Sequence, residues 1–228
     1  MTIPITTDVQ RLAVESFRTF LASEVAPVAR LFEGRSIPGQ KMRELTQGIA
    51  EFGLPGASIA QAHGGMGLSA LTEAMLFEEL SAVSSVIAEC VLGSLLVASA
   101  LADLPAGRDA LRTRYLPALL AGRSFGGFFV EQAEGVSAWP TDAGWLINAN
   151  QQWVCHGQFA DVLVTPLPTE EGACCYVVVE REQHGHVSPN GAPVPAQLTF
   201  SNVRLSADLS DAQKLSITHV LTGISAQG

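Results

Sequence analysis

From Val9 onward, the apolar residues Val9, Leu12, Ala13, Phe17, Phe20, Leu21, Val25 and Val28 recur at steps of three and four. That spacing lays one stripe along an α-helix. Asp8 stands where an N-cap is expected. Gly34 and Pro38 break the pattern, and Met42, Leu45, Ile49 and Phe52 predict a second, shorter helix closed by Gly53. Between Phe52 and Ser69, the glycines Gly64, Gly65 and Gly67 predict a turn that needs positive φ or close backbone approach. Their spacing is not Gly-x-Gly-x-x-Gly, and no strand clearly precedes them, so a tight loop ahead of a helix is expected rather than a phosphate cradle.

Ser69 is placed to cap the next helix, which carries Leu71, Met75, Leu76 and Leu80. Glu78 and Glu79 follow each other on it, and neighbouring helix residues point about 100° apart. They cannot act as one acid/base pair, so a solvated or interface face is expected. Val86–Leu104 is apolar for about the length of a membrane span, but Glu89 and Asp103 interrupt it and Gly93, Ser94 and Ser99 dilute it. It predicts a buried helix of a soluble helical domain.

From Ser124 the period changes. Short apolar or alternating runs appear at Phe125–Glu131, Trp145–Asn148, Asp161–Thr165, Ala173–Glu180 and Gln197–Val203, bounded by Gly, Pro, Asn or Asp. They predict antiparallel β-structure. Strands that follow a run of helices imply two segregated modules, an α+β chain with its boundary near Gly122–Ser124. Leu209–Gly228 reads as the start of a further helix.

Composition adds three constraints. The chain has 228 residues, 47% hydrophobic and 15% charged. So few charges leave little to cover a surface, which implies that part of the apolar surface meets another chain. A net charge of −9 without a basic run argues against a nucleic-acid partner. Four cysteines at irregular spacing form neither a zinc pattern nor a disulfide framework, so a reducing cytoplasm is expected. The N-terminal Met-Thr-Ile-Pro-Ile-Thr-Thr-Asp lacks the basic flank and apolar run of a signal peptide. Among the histidines, His63, His156, His184, His186 and His219, only His184 and His186 are close in sequence; Gly185 and Pro189 make that stretch a turn, and no metal site is expected.

Several segments together resemble one family. Gln151–Asp161 reads Gln-Gln-Trp-Val-Cys-His-Gly-Gln-Phe-Ala-Asp and resembles the Trp-Ile-Thr-Asn-Gly-x-x-Ala-Asp segment of the acyl-CoA dehydrogenases, with Trp153, Gly157, Ala160 and Asp161 retained. The glycine loop resembles the family's Gly-Leu-x-Gly…Gly-Gly-x-Gly-Leu-Ser signature, with Ala60 in place of a usual Pro. Glu78-Glu79-Leu80, Tyr115-Leu116-Pro117 and Phe200-Ser201-Asn202-Val203-Arg204 are similar to later family segments, in family order. The resemblance implies an N-terminal helical domain over residues 1–122 and an antiparallel β-barrel domain over 123–208. Residues 209–228 would begin a third, helical-bundle domain whose remainder is absent from these 228 residues. It also implies FAD as cofactor and an acyl thioester as substrate. Phe129, Val130, Glu131, Trp153 and Cys155 would then face the flavin, and Ser137 the cofactor and thioester. On its own, Trp153 reads equally as barrel core, and Ser137 as a loop serine.

The sequence also departs from the family. Glu131 replaces a Thr at the flavin's polar edge, and an ionised carboxylate donates no hydrogen bond. Cys155 replaces a second Thr, and a thiol donates weakly. Ala138–Trp145 and Val187–Pro195 are shorter than the corresponding loops. From Gln183 to Gly228 there is no Glu, so the family's base has no counterpart and no catalytic residue is assigned. Two readings follow. One is an acyl-CoA dehydrogenase-like flavoprotein component, dimeric or heteromeric, with base and bundle supplied by a partner chain. The other is a non-catalytic homologue acting as a binding or structural subunit without FAD.

Overall fold

The computed structural model describes residues 7–104, 109–128, 136–142, 144–154, 157, 159–168, 174–180, 187–188 and 196–206. Helix α1 spans Asp8–Phe20. Its cap is Thr7 rather than Asp8. The Thr7 side chain accepts from Gln10 N–H, and the Gln10 side chain accepts from Thr7 N–H at 2.8 Å. This reciprocal box outcompetes a lone carboxylate, and Asp8 becomes the first helical residue, facing the positive end of the helix.

The apolar stripe does not run as one α-helix. Leu21–Val25 is a π-helical turn, and α2 (Ala26–Leu31) follows with Pro27 at its start. Pro27 has no N–H to give the preceding turn, which re-spaces the ladder there. Of the stripe, Phe17, Leu21 and Val25 are buried and Leu12 stays 65% exposed; Val14, outside the stripe, is buried in its place. The inner face of α1 is set by Gln10, whose amide donates to Ser69 and Thr72, and Leu12 lies two residues further on, on the opposite side.

Helix α3 (Gly39–Ala50) buries Met42, Leu45, Thr46 and Ile49. A 3-10 turn, Gln61–His63, opens the glycine loop, where Gly64 (φ 86°) and Gly67 (φ 64°) adopt the positive φ expected of them. Ser69 caps α4 (Ala70–Val83) through Thr72 N–H, and Ser84 caps α5 (Ser85–Ala102) through Ile87 N–H. Glu79 pairs with Arg18 of α1, while Glu78 is exposed, so the two carboxylates do not work together. Helix α6 spans Asp109–Leu120.

Helix α5 is the centre of the helical module. It buries Ile87, Ala88, Cys90, Val91, Ser94, Val97, Ala98, Ala100 and Leu101 and packs on α4, α6 and the first strand. By length and composition alone it would also suffice to cross a membrane, but 56% of it is buried inside the protein.

Among the described residues, seven strands follow in two sheets: β1 (Gly126–Phe128), β2 (Val136–Thr141), β3 (Gly144–Val154), β4 (Val162–Pro168), β5 (Cys174–Glu180), β6 (Val187–Ser188) and β7 (Ala196–Ser206). One sheet has the order β1-β4-β5, the other β2-β3-β7-β6. Two expectations are corrected. Strand β1 pairs with β4 in parallel, Gly126 opposite Val162; the chain between them makes the β2–β3 hairpin, a crossover long enough for a parallel return, and alternation of side chains does not reveal strand direction. Ser137 lies in a strand rather than a loop, with Asn148 of β3 as its register partner.

Candidate functional site

The start of β1 and the turn after β3 meet at one hydrogen-bonded node. Asp161 N–H and Val162 N–H both donate to Phe125 O, at 2.8 and 3.1 Å. Phe125 N–H donates in return to Asp161 Oδ2 at 2.9 Å. Phe125 itself is buried, its ring 5.9 Å from that of Phe159 in the same turn. The turn closes on itself through Ala160 N–H to Gly157 O at 3.2 Å. Gly157, Ala160 and Asp161, three of the four residues that keep the family pattern, therefore build this junction.

Helices α3 and α5 hold the node. Arg43 Nη1 donates to Arg123 O at 2.7 Å and to Asp161 Oδ2 at 2.9 Å; Nη2 reaches Asp161 Oδ1 at 3.3 Å. The Arg43 guanidinium also lies 4.7 Å from the Phe125 ring centroid, a cation–π arrangement. With side-chain exposures of 37% and 25%, this pair is better shielded than a surface pair, which is worth about 0–1 kcal/mol. From α5, Ser94 Oγ accepts from Gly126 N–H at 3.0 Å. The adjoining Cys90 is buried, and loss of water pushes its thiol up to about 12; Arg43 nearby opposes that rise and Asp161 adds to it.

A second polar contact joins α6 to β5. Tyr115 O–H donates to Glu180 Oε1 at 2.7 Å, and Arg114 reaches the same oxygen at 2.6 Å. Burial, then the bond to Glu180, raises the Tyr115 pKa above its usual value, so the phenol stays neutral.

Trp153 stands near the C-terminal end of β3, in register with Gln197 of β7. Ser137 lies on the adjacent β2. Phe129, Val130, Glu131 and Cys155 lie outside the described residues. Glu131 and its neighbours follow directly on β1, and Cys155 follows directly on β3. The Phe125–Asp161 node ties the start of β1 to the turn that follows β3. Among the described residues, no group of three or more His, Cys, Asp or Glu is placed to hold a metal.

Arg43 and Phe125 were not legible as site residues. Arg43 and Asp161 are 118 positions apart, and no periodicity pairs residues over that distance. The one available signal was an arginine on a helix whose neighbours Met42, Leu45 and Ile49 form its buried face.

The family described as "Acyl-CoA dehydrogenase, N-terminal domain" matches residues 7–123. Mitochondrial isovaleryl-CoA dehydrogenase of Arabidopsis thaliana is 30% identical over 177 residues, covering 73% of this chain and 42% of that protein. Glutaryl-CoA dehydrogenase of Desulfococcus multivorans is 25% identical over 215 residues, covering 82% and 53% respectively. The chain therefore spans about half the length of these curated relatives. An acyl-CoA dehydrogenase from Bacillus anthracis, solved in complex with FAD, superposes with a TM-score of 0.80 at 18% identity, over 98% of this chain and 41% of that one. An acyl-CoA dehydrogenase from Geobacillus kaustophilus superposes at 0.79 and 20% identity, over 97% and 63%.

Proposed function

Since the chain belongs to the acyl-CoA dehydrogenase family, we propose that it is a flavoprotein component for α,β-dehydrogenation of an acyl thioester. The base and the helical bundle come from a partner chain. When bound, FAD supplies the acceptor for the hydride leaving the β-carbon. Phe129, Val130, Glu131, Trp153 and Cys155 hold the flavin, and Ser137 meets the thioester. The observation that carries this reading is the node at Phe125 and Asp161, built with Gly157, Ala160 and Asp161 of the segment that resembles the family's flavin-facing one. The FAD complex of the Bacillus anthracis neighbour supports the cofactor, and the named acyl-CoA relatives support the substrate class.

In this reading the helical domain covers residues 1–122, and the two sheets form a barrel domain over 123–208. Residues 209–228 start the third domain, and the protein works in the cytoplasm. Proton abstraction needs a base of suitable pKa within reach; residues 183–228 contain no Glu, and in this reading a partner chain supplies it. The deciding measurement is the visible absorption spectrum of the purified protein, alone and mixed with the partner, before and after added FAD. A flavin spectrum is expected. A colourless protein that takes up no FAD under any of these conditions overturns the proposal.

Glu131 and Cys155 favour a second reading, a structural or binding subunit without cofactor. A carboxylate in place of a hydroxyl donor repels the negative charge that develops on a reduced flavin. FAD found bound to the native protein rules this reading out.

A further inference from the structure

Arg43 is absent from the residues named for the cofactor, yet it grips the turn after β3 from the helical module. Its two terminal nitrogens take both oxygens of Asp161, and one of them also takes Arg123 O. Asp161 Oδ2 accepts from Phe125 N–H as well, so one carboxylate oxygen is shared between α3 and the root of β1.

We propose that Arg43 is a positioning residue for the cofactor edge. Through Asp161 it fixes the turn after β3 against α3, and so holds the end of β3, where Trp153 stands, in one orientation. This rests on the FAD reading above. Next to Asp161, Ala160 N–H bonds Gly157 O, which closes this end of the turn. The same helix also lies beside Phe159: a methyl group on Gly39, the first residue of α3, would sit 3.4 Å from its ring, about van der Waals contact. The planar fork of the guanidinium is what permits the geometry, since it serves two carboxylate oxygens and a carbonyl while lying over the Phe125 ring. A lysine keeps the charge but cannot reproduce the fork.

The test separates a positioning role from simple stability. In a chain carrying Trp139→Phe and Trp145→Phe, Trp153 is the only tryptophan left of three. Its emission maximum and acrylamide quenching then report the end of β3 without any cofactor. In folded Arg43→Met both readouts change, and the FAD dissociation constant rises by about tenfold, the loss of one ordinary interaction. Arg43→Lys gives intermediate values. A lowered Tm with the emission, quenching and FAD affinity of the parent reveals a merely structural contact and overturns the proposal. If circular dichroism shows Arg43→Met unfolded, Asp161→Asn, which keeps the shape and loses the charge, takes its place, and the same changes support or overturn the proposal. If the parent protein takes up no FAD, the functional reading fails, and Trp153 emission and quenching alone decide the positioning role.

Discussion

Cys90 shows how one residue's surroundings set a measurable pH dependence. It is 2% exposed, and burial moves its thiol from 9.0 to about 12. The pKa is raised in the folded state, so the neutral thiol contributes stability that is fully present below about pH 9. That contribution is lost as the pH climbs toward 12, because the unfolded chain ionises first. Comparing the Tm of the protein with that of Cys90→Ala from pH 8 upward is expected to give a constant offset below about pH 9. Above it the curves converge, since alanine has no proton to lose. Parallel curves up to pH 11 sink the assignment. The sequence showed Cys90 only as one of four irregularly spaced cysteines. Its ionisation is set by the apolar packing around it and, less strongly, by Arg43 and Asp161, which approach from distant parts of the chain.

At the scale of elements, the contact of α5 with β1 decides how closely the two modules join. A methyl group on Gly93 would lie 2.5 Å from Gly126 O, and one on Gly126 would lie 2.9 Å from Gly93 O. Neither backbone can retreat without breaking the bond from Gly126 N–H to Ser94 Oγ. Gly93→Ala is therefore expected to cost about 1–3 kcal/mol, the usual penalty for overpacking, as a lowered urea midpoint. Unchanged unfolding would show that α5 and β1 do not approach this closely. Gly93 looked like a diluting residue in an apolar helix, because its reason for being glycine is a strand that begins 33 positions later, at Gly126. Helix positions were otherwise readable from the stripes and from caps such as Ser69. The turn at Leu21–Val25 was not, since a π-helical turn keeps the same residues apolar while altering the hydrogen-bond spacing. Strands β2 and β6 escaped the alternation test: β2 includes Pro140, and β6 is two residues long.

For the molecule as a whole, composition and exposed surface point the same way. Leu12, Leu31, Met66, Leu71, Leu92 and Trp139 are all exposed, in a chain with 15% charged residues. Apolar area left in water favours association by about 25 cal/mol per Å² covered. Light scattering of the purified protein at micromolar concentration is accordingly expected to give a mass above the 24.0 kDa of one chain. A monomer would count against the partnered assembly proposed above. Features encoded locally could be read straight from the chain: the helical run and its caps, the change of period after Ser124, the glycine turn, and the motif order that marks the family. These follow from interactions among near neighbours, where spacing sets the face a side chain occupies. The parallel pairing of β1 with β4, the grip of Arg43 on Asp161, the close approach of Gly93 to Gly126 and the chemistry of Cys90 emerged only in three dimensions. Each depends on groups far apart along the chain that meet because the helical module and the sheets bury their apolar faces together, and no local pattern encodes which distant residue will be met.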